Sequence, residues 1–121
     1  MAAEQQPRPF GGEGSFNYDH CWVLNRQSDG DKLMLPARLS DPVSGRVLEI
    51  STNQPGIQFY SGKYLDGSAI SRSGVATASR AGLCLEPQNF PNAPNHPNFP
   101  ISRLEPGGYA PTGFVHKFGA S

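Results

Sequence analysis

The chain has 121 residues, 36% of them hydrophobic, with 7 Phe, 4 Tyr and 1 Trp, which is enough apolar side chain for one modest core. Ten basic residues balance ten acidic ones and no basic cluster stands out, so the footprint expected for nucleic acid or an anionic membrane is missing and a neutral ligand fits better. No apolar run approaches the roughly 20 residues of a membrane helix, and Met1 is followed by no hydrophobic leader, so the chain reads as cytoplasmic.

Residues 1–15 are polar and rich in Gly and Pro, and read as a flexible N-terminal arm. Cys21 to Leu24 is a short β-prone run, broken by the polar loop Asn25 to Lys32. Leu33 to Leu39 and Arg46 to Ser51 flank Ser40-Asp-Pro-Val-Ser-Gly45, where Asp-Pro enters a turn and Gly leaves it, which predicts a hairpin. In its second arm Val47 and Glu49 face opposite to Leu48 and Ile50, so one side is expected to be buried. Gln54-Pro-Gly56 precedes an aromatic strand, Ile57 to Tyr60, whose alternation sets Gln58 and Tyr60 on one face and Ile57 and Phe59 on the other. Asp66 to Arg80 is rich in Gly, Ser and Ala and reads as a loop. Ile101 to Leu104 and Phe114 to Phe118 are candidate closing strands. No long amphipathic helix and no repeat of solenoid length occurs.

The stretch from Gly82 to Pro100 carries the most information. Leu83 to Leu85 has a buried-strand signature, and Pro87 removes the next ladder donor, so the strand is expected to stop at Glu86. A carboxylate held at a strand end is how a β-scaffold presents a general base. Pro91, Pro94, Pro97 and Pro100 then recur every third residue, a spacing that fits a polyproline II path as well as it fits turns. Cys21 and Cys84 read as buried thiols rather than as a disulfide. The set His20, Cys21, Cys84 and His96 matches no usual zinc spacing, so no metal is expected. Trp22 is assigned to the core, His20 to packing or capping, and His96 to a loop.

Three further segments bear on Glu86: Phe16-Asn-Tyr-Asp-His-Cys-Trp-Val-Leu24, Ala37-Arg-Leu-Ser-Asp-Pro-Val-Ser-Gly-Arg-Val-Leu-Glu-Ile50 and Thr52-Asn-Gln-Pro-Gly-Ile-Gln-Phe-Tyr-Ser-Gly62. With the Cys-Leu-Glu stretch, and in this order, they closely resemble the C-terminal part of the aldose 1-epimerases, the galactose mutarotases, from about Phe16 to Phe118. Four ordered motifs are a specific signal where one alone is weak. The resemblance implies a mostly antiparallel all-β sandwich, here incomplete, with residues 16–121 as its C-terminal portion. It matches the family's substrate-binding aspartate to Asp19, its sugar-contacting glutamine to Gln58, with Ile57 in place of a similar β-branched residue, and its catalytic base to Glu86.

The implied function is interconversion of the α and β anomers of hexoses such as galactose and glucose, with an aldose as the partner molecule and no cofactor. The family's N-terminal part supplies an arginine and two histidines, one of them the acid on the ring oxygen, and nothing in this sequence corresponds to it. His20, His96 and His116 lie within or after the matched motifs, so resemblance assigns none of them the acid role. The rival expectation is a non-catalytic carbohydrate-binding or partner-binding β-module. Missing strand neighbours are expected to expose the Ile57/Phe59 or Leu48/Ile50 face, and so to drive self-association or association with a chain that supplies the missing part.

Overall fold

In the computed structural model the described residues are 17–25 and 32–121, so the expected N-terminal arm at 1–15 lies outside them, as does most of the polar loop that follows the first strand. Six strands follow in chain order: β1 (Asp19–Val23), β2 (Met34–Ser40), β3 (Arg46–Thr52), β4 (Gly56–Tyr60), β5 (Cys84–Gln88) and β6 (Phe114–Ala120). They form two three-stranded sheets, β1-β4-β5 and β2-β3-β6, and a single 3-10 turn at Ala93–Asn95 is the one helical element among the described residues. The all-β class expected from the sequence therefore holds. The chain divides into two compact units, one holding residues up to Trp22 together with Ile57–Glu86, the other Val23–Gly56 together with Pro87–Ser121.

In the second unit β3 pairs antiparallel with β2 on one side and with β6 on the other. Residues directly opposite each other share a face. One face therefore carries Leu48, Ile50 and Thr52 flanked by Phe118, His116 and Phe114, and the reverse face carries Arg38, Glu49 and Lys117 in a row. Ile50 and Thr52 are fully buried on the first face. On the reverse face Glu49 receives Lys117 Nζ at 3.0 Å and Arg38 Nε at 3.8 Å, so strand alternation has separated core from charge as the sequence pattern predicts.

The hairpin between β2 and β3 forms where Asp-Pro and Gly place it. Asp41 Oδ1 accepts from the Val43 N–H at 3.0 Å, and Asp41 Oδ2 accepts from the Ser44 hydroxyl. Gly45 has φ of +70°, and a Cβ there would approach the Ser121 carbonyl oxygen to 2.9 Å, so both the backbone and the space select glycine.

Several expectations fail for identifiable reasons. The strand does not stop at Glu86 but runs on through Pro87 to Gln88, leaving Glu86 at its centre. The order β1-β4-β5 makes β5 an edge strand, where a missing ladder donor is tolerated. Pro36 sits likewise in β2, an edge strand of the other sheet, where the register shifts between Met34 and Ala37. Ile101 to Leu104 forms no strand, and Ile101 is 88% exposed.

Ile57 and Ile50 are buried, so neither the Ile57/Phe59 nor the Leu48/Ile50 face is the bare one. Phe59 stacks on Tyr18 with ring centroids 5.3 Å apart. Exposed apolar side chains lie instead on β6, at Phe114, Val115 and Phe118, and at Leu104 and Tyr109. Trp22 is exposed rather than core, and the two thiols, expected to be buried, are not: Cys21 is half-buried and Cys84 exposed. The Pro91–Pro100 run is turns and the 3-10 helix rather than a continuous polyproline II path.

Candidate functional site

The three residues singled out in the sequence occupy the three strands of one sheet. Asp19 opens β1, Gln58 is the middle residue of β4, and Glu86 is the middle residue of β5, with β4 as the central strand. All three belong to the first unit. A local network fixes the entry to β1 against the end of β4. The Tyr18 N–H donates to Ser61 Oγ at 3.0 Å, the Ser61 N–H donates to the Tyr18 carbonyl at 2.9 Å, and Ser61 Oγ donates to Asn17 Oδ1 at 3.1 Å. The Tyr18–Phe59 stack reinforces the same pairing from the other side of the backbone.

That pairing brings Asp19 to Gln58, 39 positions away in sequence. Gln58 Nε2 donates to Asp19 Oδ1 at 2.7 Å. An ionised carboxylate only accepts, so the amide must turn its nitrogen toward Asp19 and its oxygen elsewhere. Gln58 Oε1 is buried and has no hydrogen-bond donor among the described residues. A buried acceptor without a partner is costly, of order 1–3 kcal/mol, unless something supplies a hydrogen.

Glu86 reaches the same region through β5. Gly62, with φ of +71°, lets the Gly82 carbonyl approach where a side chain would collide, and so leads the chain from the Gly/Ser/Ala loop into β5. Two residues before Glu86 stands Cys84, on the same face by strand alternation. Its thiol is raised above the ordinary value, first by loss of water around the sulfur, then by the negative charge of Glu86, by a hydrogen bond with that carboxylate, and last by the charge of Asp19. Asp19, Gln58 and Glu86 thus stand on the three strands of one sheet, with Asp19 and Gln58 in direct contact. The family resemblance singled out all three.

This arrangement offers two carboxylates and one unpartnered amide oxygen, which is acceptor chemistry suited to hydroxyl donors. Arg38–Glu49, Lys117–Glu49 and Arg103–Glu105 are ion pairs among the described residues. The histidines are engaged otherwise. His20 accepts the Asp19 N–H on Nδ1 at 3.1 Å and meets Tyr18 edge-on. His96 lies against Phe99 with centroids 4.8 Å apart, and His116 lies between Phe114 and Phe118 on β6, both in the second unit. Among the described residues no three His, Cys, Asp or Glu side chains gather as a metal-holding group, and no helix is long and apolar enough to cross a membrane.

A family model described as aldose 1-epimerase matches residues 2–109. The chain is 49% identical over 90 residues to the galactose mutarotase of Homo sapiens and 46% identical over 90 residues to that of Sus scrofa, in each case 74% of this chain and 25% of the relative. It is 37% identical over 83 residues, 69% of this chain and 23% of the relative, to the aldose 1-epimerase of Escherichia coli. The chain therefore spans about a quarter of the length of the curated relatives it matches.

Proposed function

This chain belongs to the aldose 1-epimerase family, and from that premise we propose that it carries the proton-accepting and sugar-holding half of a cytoplasmic mutarotase site for hexoses such as galactose and glucose. Glu86 is the general base, and Asp19 and Gln58 hold the sugar. The reaction needs proton transfers alone. Glu86 takes the proton of the anomeric hydroxyl as an acid protonates the ring oxygen. The C1–O5 bond breaks with its electron pair going to O5, and C1 becomes a carbonyl. Rotation about C1–C2 and reclosure by the reverse transfers give the other anomer.

The observation that carries this reading is the unpartnered, buried Gln58 Oε1 beside the Asp19 contact, on the strand next to the one that bears Glu86. Asp19 fixes the amide so that it offers an acceptor, and a sugar hydroxyl supplies the missing hydrogen. The acid, as the family resemblance implies, is a histidine of family polypeptide beyond the matched quarter.

The test is anomer exchange of galactose and glucose followed by polarimetry and by ligand-observed NMR. The chain alone binds the sugar and accelerates exchange little, since loss of one of two concerted proton transfers costs ~10²–10⁴ in rate. Glu86→Gln, Asp19→Asn and Gln58→Leu each reduce the interaction with the sugar. A chain that binds no hexose, or binds it unchanged after all three substitutions, refutes the reading. Robust exchange by the chain alone moves the acid role to His20, His96 or His116, and alanine at each identifies which.

A further inference from the structure

β6 is paired on one side only. The order β2-β3-β6 sets no strand beyond it among the described residues, and every residue along it is exposed, Phe118 at 77%. The hydrogen bonds that bracket its ladder with β3 fix which backbone groups face outward. The Asn53 N–H donates to the Gly113 carbonyl at 3.3 Å at one end, and the Ser121 N–H donates to the Gly45 carbonyl at 2.9 Å at the other. Such pairs recur at every second residue of an antiparallel ladder, so Val115, Lys117 and Gly119 bond toward β3, while Phe114, His116, Phe118 and Ala120 turn their N–H and C=O away from it.

We propose that this outward side pairs antiparallel with the same side of a second copy of the chain, about a two-fold axis at His116, so that two β2-β3-β6 sheets become one continuous sheet. His116 then lies opposite His116 of the second copy, Phe114 opposite Phe118, and Val115 opposite Lys117. The sequence of the strand argues for this occupant. In Phe114-Val-His-Lys-Phe118 a phenylalanine stands two residues to either side of His116, so the strand is its own complement and each Phe meets a Phe on one face. Aromatic pairs directly opposite each other are among those that stabilise a sheet. The adjacent registers lose this match. Centred on Lys117, the pairing sets two lysines face to face; centred on Val115, it sets Phe118 against Thr112.

Charge agrees with the seam. A lysine on an open strand edge ordinarily deters pairing. Lys117 Nζ, however, lies 3.0 Å from Glu49 Oε2 on β3, drawn to the inner side of its own sheet, and β6 holds no other lysine, arginine, aspartate or glutamate. The contact is isologous and closes on itself, and a seam one strand long is at the low end of interface size, so the dimer dissociates on dilution. None of this depends on the role given to Glu86.

Two measurements on the 121-residue chain test the proposal. Sedimentation velocity over a concentration series reads the monomer–dimer equilibrium, with thermal melts to show that each variant is folded. Phe118→Ser, which removes both Phe–Phe pairs, and His116→Lys, which places like charges opposite each other, each weaken dimerisation about tenfold or more. The second measurement reads the register. Directly opposed residues that exchange hydrogen bonds have Cα atoms about 5.5 Å apart, within reach of a disulfide. Mild oxidation therefore cross-links His116→Cys to itself and leaves Lys117→Cys uncrosslinked, the bridge being located by peptide mass spectrometry so that Cys21 and Cys84 report separately.

A wild-type chain that stays monomeric at the highest concentration reached overturns the inference. So does a dimer that survives both Phe118→Ser and His116→Lys, or one that cross-links through Lys117→Cys in place of His116→Cys. A monomer that pairs only with the remaining polypeptide of a longer relative would give the edge to that partner, and the second copy would be excluded.

Discussion

Glu49 and Glu86 each stand at the centre of a β-strand, and their neighbours differ completely. Glu49 on β3 lies between Arg38 of β2 and Lys117 of β6 in direct cross-strand register, and both cations reach it. Glu86 on β5 has a thiol for a neighbour and a second carboxylate, Asp19, acting on that same thiol. Alternation in a strand decides only which face a glutamate occupies. What stands on the adjoining strands decides whether its charge is paired across the sheet.

The sharpest way to break this contrast is kinetic. In polypeptide carrying a complete site, Glu86→Gln lowers the mutarotation rate by at least ~100-fold, the usual worth of a positioned proton-transfer group, and Glu49→Gln leaves it nearly unchanged. Polarimetry with α-galactose measures both. Equal small effects would erase the distinction between the two glutamates.

A smaller effect separates Gln58 from the rest of its sheet. Gln58→Leu removes the unpartnered acceptor and the contact to Asp19 together, and loss of about one net hydrogen bond to the sugar, ~1 kcal/mol, weakens galactose binding about fivefold. An NMR titration of this chain with galactose reads it. Unchanged affinity would mean that the amide oxygen is filled by something other than the ligand.

On the other sheet the expected effect is smaller and concerns stability alone. Glu49→Gln lowers it by about 0–1 kcal/mol, because both cationic partners are largely exposed. The difference in thermal midpoint from wild type narrows in 1 M salt, as screening acts on exposed pairs. A salt-independent difference would assign Glu49 a packing role.

The smallest effect concerns Asp41, whose carboxyl is lowered by the Ser44 hydroxyl, by the Val43 N–H and by the Ser44 N–H, against a small opposing effect of burial. A carboxyl depressed in the fold contributes stability above its unfolded value and loses it as pH falls through the folded one. Asp41→Asn is therefore slightly less stable than wild type at neutral pH, and the two thermal midpoints converge at acid pH below the ordinary carboxylate range. A gap that persists there would trace the effect to turn geometry instead of charge.

The local features were the legible ones. Asp41 to Gly45 could be read as a hairpin because every group that closes the turn lies within a few residues. The alternation at Val47 to Ile50 was visible because side-chain direction along a strand needs no knowledge of its neighbours. Where β5 ends was not visible, since whether Pro87 stops a strand depends on whether that strand is an edge, a property set by segments far away in sequence. Ile101 to Leu104 misled for the same reason: an apolar run becomes a strand only beside another strand with free ladder groups. The Asp19–Gln58 contact, across 39 positions, follows from no periodicity, and the order of the family motifs pointed to these residues where pattern could not.

The proline inside β5 bears on how these molecules meet one another. Proline on an exposed sheet margin is one of the ways proteins discourage a second chain from adding to it, because the ring nitrogen has no hydrogen to offer an incoming strand. The margin that carries Glu86 is blunted in this way, and β2, with Pro36 at its irregularity, shares the protection. β6 has no proline along its seven residues and bears Phe114 and Phe118 in the open. Strand-to-strand growth, if crowding ever drives it, therefore begins at β6 or at β1, the other margin of the carboxylate sheet, whose five residues also lack proline, and not at the margin that carries Glu86.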